Sequence, residues 1–133
     1  MAKNMIRAYS PEKARAAVCT QPATPVSGDP VLVGQMPGVA LTNEETAVPN
    51  LSGNAVGECT VAHDGTWALP VKGVDGGGNS VVARGDILYY VAGDTPPLSK
   101  KATGVRYGYY DGSATIAGGA TNTTAEVVVG YQG

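Results

Sequence analysis

Apolar and polar positions alternate along most of this chain with a period of two, in short runs, the signature of half-buried strands. Val31-Leu32-Val33 and Val39-Ala40-Leu41 form two such runs in SGDPVLVGQMPGVALT (27–42), followed by ARGDILYYV (83–91), TGVRYGYY (103–110) and TTAEVVVGYQ (123–132). Cys59, Val61 and His63 alternate before Asp64-Gly65, and Trp67, Leu69 and Val71 alternate after it. Asp-Gly readily takes the positive φ angles of a two-residue turn, so 58–71 is predicted to be a hairpin with Trp67 anchoring the core.

One cadence occurs twice. Gly28-Asp29 precedes the run at 31–33 as Gly85-Asp86 precedes the run at 87–91, and Gly38-Val39 and Gly104-Val105 open the next strand in each half. Glycine permits a tight backbone there, and the aspartate is expected to accept hydrogen bonds from the amides just after it. Two similar β units predict an all-β fold, a small β-barrel or sandwich of short antiparallel strands.

The remaining segments are read from their punctuation. Residues 1–14 have neither helical nor strand periodicity and are predicted to form an extended N-terminal arm that orders only on a partner, leaving 15–133 as a single β-rich domain. SPEK (10–13) can start a short helix with Ser10 as cap and Pro11 in the first turn, whereas ARAAVCT (14–20) can equally be the first strand. GVDGGGNS (73–80) is predicted to be a flexible loop, and Asp111-Gly112 another tight turn.

Composition narrows the classes. With 133 residues the chain fits one domain, and 19 glycines and 9 prolines suit a turn-rich β protein. Only 15% of residues are charged and the net charge is −2, so no basic surface for nucleic acid is expected. The amino terminus lacks the apolar core of a secretory signal and no run of 18 apolar residues occurs, so assembly in a cytoplasm and no membrane partner are expected. On the same ground Cys19 and Cys59 are expected to be free buried thiols.

Candidate chemistry is sparse. His63 is the single histidine, so any catalytic or multi-histidine metal site has to use it. Cys59, His63 and Cys19 could supply three zinc ligands, but residues four apart on a strand are about 13 Å apart along it, too far for joint ligation. The 73–79 glycines lack the Gly-Lys-Ser/Thr ending of a phosphate loop. RGD (84–86) coincides with the repeated Gly-Asp turn and is read as structural, and Glu44, Glu45 and Glu58 as solvated surface. NLS (50–52) and NTT (122–124) match a glycosylation acceptor pattern, inert without a secretory route. No catalytic, cofactor-binding or metal residue is therefore assigned. Tyr89, Tyr90, Tyr107, Tyr109, Tyr110 and Tyr131 crowd the second half. One of each adjacent pair is expected outside the core, and such tyrosines suit either an interface or the filling of a barrel that has no phenylalanine.

The opening MAKN, SGDPVLVGQMPGVALT (27–42), GTWALPVKG (65–73), ARGDILYYV (83–91) and AEVVVGYQ (125–132) come in the order seen in the capsid decoration, or cement, proteins of tailed bacteriophages, which this chain resembles over residues 27–132. The resemblance implies a non-enzymatic protein of the virion exterior that binds an assembled head and braces neighbouring major capsid protein subunits, commonly as a homotrimer at local threefold positions. It implies an arm on the shell, for which Met5, Ile6, Arg7 and Tyr9 are the candidate contacts. Gly28, Asp29, Asp64, Gly65, Trp67, Gly85 and Asp86 are then structural turn and core residues. The alternative from another class is a carbohydrate- or surface-binding β module with exposed tyrosines as stacking platforms, and an enzyme is the third.

Overall fold

The described residues form twelve strands, most of whose apolar residues face two adjoining cores. The structure is a computed structural model that describes residues 3–9, 14–46 and 53–130. In chain order the strands are β1 (Met5–Arg7), β2 (Ala14–Ala17), β3 (Pro30–Val33), β4 (Met36–Ala40), β5 (Cys59–Ala62), β6 (Thr66–Lys72), β7 (Val74–Asp75), β8 (Gly78–Asn79), β9 (Ile87–Tyr90), β10 (Leu98–Ser99), β11 (Val105–Tyr110) and β12 (Thr121–Val129). The described residues contain no helix.

Strands β6, β10, β9, β11 and β12 pair in that order, and β12 returns to β6 to close a five-stranded barrel. Closure removes the open edges that would otherwise invite aggregation. A second sheet, β2-β5-β4-β3, packs β4 against β11 and β12. Its alternation divides the interior: Leu32, Val39 and Ala62 join the barrel core, whereas Val31, Ala40, Val61 and Cys59 form a second cluster with Cys19. Tyr107, fully buried, ties the layers by donating its hydroxyl to the Gly38 carbonyl at 2.6 Å.

The Gly-Asp cadence proves to be one turn used three times. Gly28, Gly57 and Gly85 each have φ near 90°, at +95°, +89° and +93°. This is the third position of a four-residue turn that only glycine takes easily. In each, the next residue, an acid, closes the turn through its amide, to Val26, Ala55 and Ala83, at 2.9, 3.0 and 3.0 Å. Its carboxylate then reaches back to accept the amide of that same residue: Asp29 from Val26 at 2.9 Å, Glu58 from Ala55 at 2.8 Å and Asp86 from Ala83 at 2.8 Å. The acids thus bond to the amide three positions before them, rather than to the amides after them. Each turn glycine also donates to a facing residue, Ala40, Glu45 or Tyr110, at 2.7 to 2.8 Å, and receives that residue's amide on the acid's carbonyl. Glu58 is therefore a structural acceptor, not merely solvated surface.

Four other expectations are corrected. Residues 58–71 do not form a hairpin: β5 belongs to the second sheet and β6 to the barrel. Asp64 and Gly65 (φ +92°) mark the crossing between layers, fixed by the Trp67 indole donating to the Asp64 carbonyl at 2.9 Å and by Val129 donating to Gly65 at 2.9 Å. Both edges of β5 are already taken by β2 and β4, which leaves β6 to pair elsewhere. The glycine segment 73–80 contains the β7-β8 hairpin, held where Asp75 accepts the Gly77 amide at 2.8 Å. Asp111-Gly112 makes no tight hairpin, and ten residues separate β11 from β12.

Of the expected arm, Met5–Arg7 is a strand of the sheet. β1 pairs with β6, Met5 opposite Trp67, and the Asn4 side chain donates to the Gly28 and Ala68 carbonyls at 3.1 and 2.9 Å. Backbone pairing and an aromatic partner, Tyr9 stacked on Trp67 with centroids 6.1 Å apart, supply what a lack of periodicity concealed. The first strand after it is β2, within ARAAVCT; the SPEK helix start, NLS and Tyr131 lie outside the described residues.

Two measurements check this architecture. Trp67, fully buried, should cost about 3–5 kcal/mol on truncation to alanine, read from urea unfolding. Glu58→Ala should cost about 1–2 kcal/mol because the Ala55 amide loses its acceptor, and Glu58→Gln, which keeps an acceptor, less than half of that.

Candidate docking groove

One apolar concave surface is built by prolines from distant parts of the chain. Pro22, Pro30, Pro70, Pro96, Pro97 and Tyr90 line a mainly apolar groove of about 540 Å³. Each wall has a local cause. Pro30 comes directly after the first acid-closed turn and opens β3, while Pro22 is carried beside it by the Gln21–Leu32 bridge. Both Gln21-Pro22 and Thr95-Pro96 are cis.

Pro70 sits within β6, where a proline has no amide to offer a ladder. The β6–β12 register is interrupted opposite it: Asn122 pairs with Val71 and Ala125 with Leu69, leaving Thr123 and Thr124 outside the ladder. Within this interruption the Thr124 amide donates to the Asn122 side-chain oxygen at 3.0 Å. Thr123 is thereby turned toward the groove, which it lines beside Thr121.

Two carboxylates mark the walls. Asp94 is paired with Lys101 at 2.7 Å. Asp29 closes its turn and has no cation partner among the described residues. Burial and the nearby Asp29 push the Tyr90 phenol up to about 12, so its hydroxyl stays neutral at physiological pH. The groove thus offers mainly apolar, proline-stiffened walls with the carboxylates of Asp29 and Asp94 among its lining residues.

The residues expected to contact a shell are distributed differently. Met5 and Ile6 are 40% and 42% exposed on β1, whereas Tyr9 is partly covered by Trp67 and Arg7 pairs with Asp111 at 2.8 Å. Arg84 of the RGD triplet pairs with the same carboxylate at 2.9 Å, and Asp86 lies 3.4 Å from Lys100, so the triplet serves the fold. His63 bonds the Pro37 carbonyl through Nδ1 at 2.7 Å, whereas the two thiols contact each other. Among the described residues no three His, Cys, Asp or Glu side chains gather as a metal site. Tyr90, Tyr107 and Tyr110 fill the core, and Tyr89 and Tyr109 are the half-buried outer members of their pairs.

Asp29 was legible as a turn residue but not as part of a groove; the prolines were legible only as helix breakers. Comparison with known proteins found no matching family model, no matching curated protein and no matching solved structure.

The hydrogen bonds from Arg7 and Arg84 hold the Asp111 carboxyl below its ordinary range. The stability this contributes is complete above about pH 4 and is lost as pH falls through the depressed folded-state value. Thermal melts of Asp111→Asn and the parent should therefore differ most near neutrality and converge in acid.

Proposed function

We propose that this protein is a capsid decoration protein that binds the exterior of an assembled bacteriophage head and braces neighbouring major capsid protein subunits, as a homotrimer at local threefold positions. The observation that carries this reading is the proline-walled groove, which accepts an extended, basic segment of the capsid subunit against Asp29. The segments that resemble cement proteins supply its frame: 27–42 contains the first turn with Asp29 and Pro30, 65–73 contains Pro70, and 83–91 includes Tyr90. Commitment of the reactive side chains to internal bonds also favours a binding role, since His63, Asp86 and Asp111 each hold a strand or turn in place. The burial of Tyr90, Tyr107 and Tyr110 leaves fewer tyrosines to serve as the stacking platforms a sugar-binding module would use.

Co-sedimentation with purified heads that lack this protein tests the reading. The parent should bind, and Thr123→Trp, which fills the groove from an exposed position, should weaken binding at least about tenfold without lowering the melting temperature. Asp29→Asn keeps an acceptor for the Val26 amide while removing the charge, so it should weaken binding and flatten its salt dependence. Unchanged binding by both variants would move the contact elsewhere; failure of the parent to bind heads, with retention on a glycan column, would replace the decoration reading.

A further inference from the structure

The second core cluster holds the two cysteines in direct contact. Cys59 opens β5 and pairs with Ala17 of β2, and Cys19 lies two residues beyond the end of that strand, on the same face as Ala17. Their Sγ atoms are 3.3 Å apart, though the residues are 40 positions apart in sequence. Both thiols are buried, with Val31, Ala40 and Val61 around them. Small apolar side chains would fill such a pocket as well, so packing alone does not require sulfur at both positions. A disulfide is about 2.05 Å long, and closing the remaining gap of about 1.3 Å is within reach of side-chain rotation between paired strands.

We propose that Cys19 and Cys59 are an oxidative cross-linking site, which exchange with a small-molecule disulfide converts to an intramolecular bond that fastens the edge strand β2 to the centre of the second sheet. The electron balance is that of two successive exchanges. Cys19, 9% exposed against 0% for Cys59, is the point of entry. Its thiolate attacks one sulfur of the reagent, breaking the reagent's S–S bond, releasing one reagent thiol and leaving a mixed disulfide. Cys59, as thiolate, then attacks the Cys19 sulfur and displaces the second reagent thiol. The chain loses two protons and two electrons and gains one S–S bond, and the reagent is reduced to two thiols.

The surroundings set when this happens. Burial pushes the Cys19 thiol up to about 12 and raises that of Cys59 as well, so little thiolate exists in the folded protein at neutral pH. Exchange is therefore slow once the core has closed, and rapid during folding or in alkaline solution. β2 has a single neighbouring strand, β5. A covalent link just past its end restrains the part of this sheet with the fewest backbone partners, and it encloses β3 and β4 within one loop. The inference is independent of the groove and of what occupies it.

The test uses the full chain, unfolded in denaturant and refolded with either oxidised or reduced glutathione. Refolding with oxidised glutathione should yield a monomer lighter by two hydrogens, whose digest contains linked Cys19 and Cys59 peptides. Its melting temperature should exceed that of the reduced protein by about 10 °C. Cys19→Ala and Cys59→Ala should each abolish this redox dependence. Recovery of two alkylatable thiols, of glutathione adducts alone or of disulfide-linked dimers would overturn the site. A Cys19–Cys59 link with an unchanged melting temperature would overturn the claim that it fastens β2. The mass measurement on the parent protein decides the chemistry even if an alanine variant fails to fold.

Discussion

A carboxylate reaching back to a backbone amide is the constraint on which the rest of this molecule depends. At each of the three acid-closed turns one amide faces no ladder partner, and a carboxylate acceptor there fixes the turn's conformation. Asp29, Glu58 and Asp86 supply it in the same way. Glycine at the preceding position provides the positive φ, and the paired bonds from each turn to Ala40, Glu45 or Tyr110 set the register of the neighbouring strands. The first of these turns delivers Pro30 and Asp29 to the groove, and the third aligns β9, whose last residue, Tyr90, forms another wall. The same local device thus builds the frame and places the site.

How much of this is legible in a sequence depends on distance along the chain. Period-two alternation located β3, β4, β6, β9, β11 and β12 and assigned Trp67, Leu69 and Val71 to the core, because it reflects which face of a strand meets water. It carries no information about which strand lies beside which. Asp64-Gly65 has the residues of a hairpin turn, yet the Trp67 indole and the competing pairings of β5 make it a crossing between sheets. The turn at Gly57 escaped notice because its acid is a glutamate and no strongly apolar run comes directly after Glu58. The N-terminal strand gives no pattern at three residues, and its place is dictated by Asn4, Tyr9 and Arg7, whose partners lie at residues 28, 67, 68 and 111. The groove is the least legible feature, since its walls come from segments scattered along the chain.

Charge is used conservatively here. Arg7 and Arg84 share Asp111, and Lys101 meets Asp94, so several of the few charged groups join elements to one another instead of facing a ligand. Ion pairs of this exposure contribute little stability individually. Their larger effect is orientation, because they pin β1 and the third turn to the end of β11. Asp29 differs in having only backbone as a partner, which is why the groove has a polarity of its own.

The closure of the barrel by β12 has a consequence for how the protein is made. β6 ends at Lys72, but its long partner begins at Thr121 and ends at Val129. Until residue 129 has left the ribosome, β6 and β11 each have an unmet edge, and the faces of Trp67, Leu69 and Tyr107 have no lid. Pairings this far apart in sequence pay their loop-closure entropy late and fold slowly. Closure of the barrel therefore waits for the last of its strands to be made.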